Sequence, residues 1–292
     1  MEHCDILIIG AGIAGIAAAE AAWNAGCHSL QLVDRKASMG GILQQCMHRG
    51  FGNGLDGPEY IRKLLRKFPD EIPRLMDTTV VSLSNNKTAL LKSPAFGEKT
   101  VSFRQLILAT GCLEIPMGAL PIAGTRPRGV YTAGQMQELM NLHGFRPNGP
   151  VVILGSGDLG LIMAKHMLDA GISVAALVEQ KPECGGMARN RHFLRETPIP
   201  LYCNCTIAEV HGDPLLECVV LSDGTAIPCK TLLIAAGLKP DRTLLHTVGM
   251  SPWLHLCGNC SKVSPMVEAV AQDGRQAARN ALSTLSNSEE MR

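Results

Sequence analysis

Short apolar runs alternate with Ala-rich stretches along most of the chain. Asp5-Ile-Leu-Ile-Ile9 is apolar after its first residue, the pattern of a strand buried on both faces of a parallel sheet. Ile13 to Asn24 is rich in Ala and stops at Gly26, which predicts a helix ended by glycine. Leu30 to Val33 predicts a second strand. The same order returns later: strand Val151 to Leu154, helix Leu159 to Ala170 ended by Gly171, strand Val174 to Val178. Such alternation predicts a parallel sheet covered on both faces. Leu106-Ile-Leu-Ala-Thr-Gly111 and Leu232-Leu-Ile-Ala-Ala-Gly237 read as one further strand in each half. A last helix is predicted from about Ser264 to Leu282, with Ser264 as its N-cap and Pro265 in its first position. The tail, about 283–292, reads as frayed.

The recurrence is a sequence repeat. Residues 10–41 align with 155–186 at an offset of 145 without a gap, with eleven of the 32 positions identical. Gly10, Gly12 and Gly15 meet Gly155, Gly157 and Gly160. Asp34 meets Glu179, and Gly40-Gly41 meets Gly185-Gly186. The fold class expected is α/β, with two Rossmann-like βαβ dinucleotide-binding domains.

Each copy carries the parts that a dinucleotide needs. The first Gly permits the tight turn out of the strand, the second lets backbone approach a pyrophosphate, and the third lets helix pack on strand. The helix N-terminus then offers free N–H groups to the diphosphate. An acid at the end of the second strand, 24 residues after the first Gly in both copies, can accept from ribose hydroxyls. Small residues in tight helix packing would explain the glycines alone. They do not explain strand, glycines, helix, strand and acid in order, twice.

Composition narrows the classes. The 292 residues and 31.2 kDa suggest about two domains. Hydrophobic residues make up 46% and charged residues 18%, which supports a packed core. A net charge of +1 and 4% aromatics give no footprint for nucleic acid. No apolar run is long enough for a transmembrane helix, and Met1-Glu2-His3-Cys4-Asp5 lacks the basic start of a signal peptide. Eleven irregularly spaced cysteines suit free thiols in a reducing cytoplasm.

Further motifs sharpen this. Gly40-Gly-Ile-Leu-Gln-Gln-Cys46, Gly57-Pro-Glu-Tyr60, Gly124-Thr-Arg-Pro127, Gly129-Val-Tyr-Thr-Ala-Gly134, Gly155-Ser-Gly-Asp-Leu-Gly160 and Cys257-Gly-Asn259 resemble the two-dinucleotide-binding-domain flavoproteins that include thioredoxin reductases. Within them, the chain is most similar to FAD/NAD(P)-dependent subunits that accompany glycerol-3-phosphate-, proline- or opine-dehydrogenase-type flavoproteins. The resemblance implies a discontinuous FAD domain, 1–118 and 246–292, with an NAD(H) domain, 119–245, inserted in it. The segments Gly118–Gly129 and Leu238–His246 would form the hinge.

By the same resemblance, FAD would be held by Gly10, Gly12, Ile13, Ala14, Gly15, Asp34, Arg35, Gly40, Gly41, Val80, Ala109, Thr110, Gly111, Gly258, Asn259 and Val267. NAD would be held by Gly155, Gly157, Asp158, Leu159, Gly160, Glu179, Gln180 and Gly237. The match departs at Asn259, where many relatives carry Asp, and in the short stretch before Pro252. The implied activity is hydride passage between NAD(H) and flavin, in one component of a larger dehydrogenase. Its implied partners are an iron–sulfur electron carrier and a second flavoprotein dehydrogenase subunit, with no direct membrane insertion.

Cysteine placement keeps two other readings open. Cys257-Gly-Asn-Cys260 is the one CxxC, and would serve a disulfide reductase; the blander reading is a thiol packed in a flavin-contacting turn. Cys46 and His48 follow the Gly40-Gly41 loop and are the catalytic candidates, against a buried Cys and a surface His. Cys203-Asn-Cys205 reads as a CxC on a strand, weak as a metal site, and no metal is expected. A non-catalytic assembly component with a structural nucleotide is the remaining alternative.

Overall fold

The computed structural model describes residues 2–290. The chain divides into two compact units, Met1–Leu113 with Lys239–Arg292, and Glu114–Leu238. It crosses between them after Leu113 and Leu238, against the expected crossings after 118 and 245. Gly118–Gly129 therefore lies wholly within the second unit. Ile122 is buried in that unit's core, and Ala123–Gly124 pairs with the strand Ile207–His211. Its Gly and Pro content disguised a packed segment as a linker.

In the first unit, the strand Glu2–Ile9 is central, with Leu30–Val33 and Gly97–Leu108 parallel to it on either side. Gly97–Leu108 is long enough for two further neighbours. Its first half pairs antiparallel with Thr88–Ser93, and its end pairs parallel with Leu254–Leu256. Side chains alternate across the sheet. Ile6 and Ile8 join the cluster under the helices, whereas Leu7 and Ile9 join Leu83, Leu91, Phe103 and Trp253 on the other face. Helices Ile13–Asn24 and Val267–Glu290 meet through Ala14, Ala18, Ala22, Ala277, Ala278 and Ala281. A Cβ on Gly274 would overlap the Ala14 carbonyl, so this crossing depends on residues without bulk.

The last helix differs from its sequence reading. It begins at Val267, not Ser264, and runs to Glu290, through most of the tail expected to fray. The Ser264 amide donates to Asn259 Oδ1 (2.9 Å), and the Ser264 hydroxyl oxygen accepts from the Met266 amide (3.2 Å). Those bonds make a turn before the helix rather than its cap. Leu285 is buried against the first helix, which extends order beyond Leu282. Residues 291 and 292 lie outside the described residues.

The second unit repeats the plan. Val151–Leu154 lies between Val174–Val178 and Thr231–Ile234, all parallel, with Leu201–Tyr202 and Val130–Thr132 at the edges. Val151 and Ile153 face the helices Ala133–His143 and Asp158–Asp169; Val152 and Leu154 face a small sheet containing Ile207–His211 and Cys218–Leu221. The edge strand ends at Tyr202, and Asn204 has φ +52°, so Cys203-Asn-Cys205 lies on a loop rather than a strand.

Candidate functional site

Both glycine turns have one geometry. Gly10 and Gly155 each have φ +105°, which an L side chain rarely adopts. A Cβ there would also overlap the carbonyl of Ala109 in the first copy and Ala235 in the second. At Gly15 and Gly160 a Cβ would overlap the carbonyl oxygen of Gly10 and Gly155. Four glycines are therefore demanded by the protein's own packing.

The middle glycines are different. Gly12 (φ −76°) and Gly157 (φ −64°) have ordinary extended backbone, and a Cβ on either meets nothing within 4 Å. Each occupies the N-cap of its helix, with no side chain accepting from the first turn. Unsatisfied helix amides beside open space at a residue without a side chain form a cradle for an anion. The packing gives no reason for glycine at either position.

The acids complete the parallel. Asp34 Oδ2 accepts from the Ala11 amide (2.6 Å) and Oδ1 from the Lys36 amide (2.7 Å). Glu179 Oε2 accepts from the Ser156 amide (2.9 Å) and Oε1 from the Lys181 amide (3.0 Å). Ala11 and Ser156, and Lys36 and Lys181, are the aligned positions of the two copies. Glu179 is buried, which alone would push its carboxyl up. The Ser156 hydroxyl, the Lys181 and Ser156 amides and the Lys181 charge outweigh burial, and the net shift is downward.

The other first-unit candidates gather as follows. Gly40 donates to the Ala11 carbonyl (2.8 Å), and a Cβ on Gly41 would stand 3.1 Å from Gly12 Cα, so this loop closes on the cradle. Ala109, Thr110 and Gly111 follow the strand beside it; the Thr110 hydroxyl donates to the Asp241 carbonyl (2.7 Å). Ile13 and Val267 join one apolar cluster with Leu43, Cys46 and Ile61, while Ala14 lies against Gly258. Gly258 donates to Asp273 (2.7 Å), a role of Asp273 that sequence spacing did not reveal. Arg35 is exposed, and Val80 packs in the cluster on the opposite face of the sheet from the helices.

In the second unit, Asp158 Oδ1 accepts from Met187 N (2.7 Å) and Asn190 Nδ2 (2.6 Å), which ties the loop after Gly186 to the helix start. Leu159 is half-buried, and Gln180 and Gly237 lie outside the core. Sequence reading missed Ser156, whose hydroxyl donates to Glu179 Oε2 (2.6 Å) and accepts from Gly185 N (2.8 Å). The missed signal was a hydroxyl inside the glycine motif where the first copy has Ala11.

The thiols are not arranged for exchange. Cys257 and Cys260 are both wholly buried. Burial pushes both thiols up, and Cys260 donates to the Leu108 carbonyl (2.9 Å). Cys46 is buried with its thiol pushed up to about 12 by desolvation, and it donates to the Ile42 carbonyl (3.3 Å). The His48 ring lies 5.1 Å from Phe51. Among the described residues no cysteine is joined in a disulfide, and no group of three or more His, Cys, Asp or Glu is placed to hold a metal.

Paired Rossmann-like units with this glycine–acid geometry define a two-domain dinucleotide-binding oxidoreductase fold, and solved structures share it. The chain superposes on thioredoxin reductase from T. acidophilum with a TM-score of 0.76 at 19% identity, covering 97% of this chain and 99% of that one. L-proline dehydrogenase from P. horikoshii gives 0.76 at 15%, covering 97% of this chain and 56% of that one. Residues 4–252 match the pyridine nucleotide-disulphide oxidoreductase family, and the chain belongs to it. Two curated relatives are named as subunits of enzymes. The HcnB component of hydrogen cyanide synthase from Pseudomonas protegens (strain DSM 19095 / LMG 27888 / CFBP 6595 / CHA0) is 32% identical, over 59% of this chain and 38% of that protein. Opine oxidase of Agrobacterium tumefaciens (strain Ach5) has a component 29% identical to this chain, over 85% of this chain and 55% of that protein. The chain thus spans about half the length of the opine oxidase component. Among the described residues no helix is long and apolar enough to cross a membrane.

Proposed function

We propose that the chain is an FAD-dependent oxidoreductase that passes a hydride between NAD(H) and flavin, with FAD in the first cradle and NAD(H) in the second. The observation that carries this is the doubled arrangement of open glycine, uncapped helix and amide-bound acid at Gly12/Asp34 and Gly157/Glu179. The chemistry the cofactors supply when bound is hydride transfer between nicotinamide and flavin. The chain's part is to bind, orient and exclude water. Helix amides at Gly12 and Gly157 take the diphosphates, and Asp34 and Glu179 take ribose hydroxyls. Glu179 also disfavours a 2′-phosphate, so NADH is the preferred nucleotide.

Opine oxidase and hydrogen cyanide synthase are both named by subunit, and we assign this chain likewise to a multi-component enzyme. An iron–sulfur carrier and a second flavoprotein dehydrogenase subunit fit as partners. Cysteines without a disulfide among the described residues suit a reducing cytoplasm. Burial of Cys257 and Cys260 weighs against the disulfide-reductase reading. The test is composition: the purified chain should release one FAD and bind one NADH by calorimetry. A chain that binds a single nucleotide would refute the two-cofactor reading, and a bound nucleotide without flavin would favour a structural role.

A further inference from the structure

We propose that Ser156 sets the nucleotide preference of the second cradle, by holding Glu179 in one orientation through its hydroxyl. This rests on reading that cradle as the NAD(H) site. Ser156 is wholly buried, and its hydroxyl has two neighbours of fixed character. The Gly185 amide can only donate, so Ser156 Oγ accepts from it at 2.8 Å. The single hydroxyl proton is then given to Glu179 Oε2 at 2.6 Å. The chain of bonds from Gly185 through Ser156 to Glu179 runs in one direction, and donors on both carboxyl oxygens favour the ionised carboxylate.

Acceptor sites can be counted. An ionised carboxylate offers about four lone-pair positions. On Glu179, Oε2 is filled by the Ser156 amide and hydroxyl, and Oε1 has taken the Lys181 amide. One position remains, on Oε1, where the sequence suggested room for more than one ribose hydroxyl. On Asp34 each oxygen has taken one amide, so one position remains on each. The extra bond in the second cradle comes from Ser156 Oγ, which Ala11 lacks.

Two consequences follow for selectivity. Glu179 has one more rotatable bond than Asp34; without Ser156 Oγ only the Ser156 and Lys181 amides would hold it, and the Lys181 charge that acts on it would draw the carboxylate with less opposition. A carboxylate neutralised by lysine no longer repels a 2′-phosphate. Held by Ser156, it presents one acceptor and a fixed negative charge. A ribose hydroxyl can donate to it, whereas a phosphate brings like charge and no proton at neutral pH. Ser156 is thus a positioning residue, acting through Glu179.

The test titrates the purified full chain with NADH and NADPH by calorimetry, in wild type, Ser156→Ala, Ser156→Thr and Glu179→Ala. Loss of a charge-assisted bond should weaken NADH in Ser156→Ala about tenfold. NADPH should change by less than about twofold, so the preference shrinks, and Ser156→Thr should restore most of it. The pH profile supplies a second readout. In wild type the carboxyl is held down, so NADH affinity persists into acid; without its donor, Ser156→Ala should lose affinity at higher pH. If Ser156→Ala does not fold, Ser156→Cys, a weaker donor, should show the same changes at smaller amplitude. Unchanged preference and pH profile in the serine variants, with preference lost in Glu179→Ala, would overturn the role of Ser156 alone. No NADH binding by wild type would overturn the reading of the cradle itself.

Discussion

A side chain added at Gly12 meets no protein atom within 4 Å, whereas one at Gly15 overlaps the Gly10 carbonyl. Gly12→Val should therefore melt within a few degrees of wild type and yet lose most bound flavin. Gly15→Ala should lose about 3 kcal/mol or more of stability. Gly157→Val should retain flavin and lose NADH. Melting temperature, flavin absorbance and NADH calorimetry separate the three, and a flavin-replete Gly12→Val would remove FAD from the first cradle. The thiols give a second test at this scale. Cys46 is buried with its thiol pushed up to about 12, and burial raises Cys257 and Cys260 as well. Only a minute thiolate fraction exists near neutral pH, so native alkylation of these three should lag the half-buried Cys184 by orders of magnitude. Rapid labelling of Cys257 and Cys260 would revive them as a redox pair.

The pair of helices Ile13–Asn24 and Val267–Glu290 brings the last segment of the chain against the first cradle. A methyl at Gly274 would strike the Ala14 backbone, with the Ala14 Cα at 3.0 Å. Gly274→Ala should cost about 2–3 kcal/mol and lower flavin content, because Ala14 closely follows Gly12 of the cradle. Thermal melting followed at the flavin band checks it; an unshifted melt would mean that the helices can separate freely. These elements were unequally legible in the sequence. Strands Leu30–Val33, Val151–Leu154 and Val174–Val178 and helix Ile13–Asn24 have the bounds that periodicity suggests, since glycine and apolar runs are local signals. The start of the last helix was not legible, because Asn259 takes the Ser264 amide and no local pattern encodes that partner. The crossing points between units were displaced for a similar reason: burial of Ile122 is a tertiary fact. In the cradles the acids and glycines were legible from the repeat, whereas Ser156 as a bridge to Gly185 needed the loop's folded path.

On the scale of the whole molecule, one plan is used twice, in units that each possess a sheet with a parallel centre and their own core clusters. The duplication supplies two glycine turns of one geometry, with Ala11 and Asp34 in the first and Ser156 and Glu179 in the second, which we propose as the two dinucleotide cradles. On the proposed function, neither Cys46 nor the Cys257–Cys260 turn takes part in the step between nucleotide and flavin. The most direct measurement is anaerobic: record the flavin spectrum of the purified chain and add NADH stepwise. The oxidised flavin band should bleach with about one NADH per flavin, in wild type and in the Cys257→Ser/Cys260→Ser variant alike. A flavin band untouched by excess NADH, in a chain that binds both cofactors, would contradict the proposed hydride transfer.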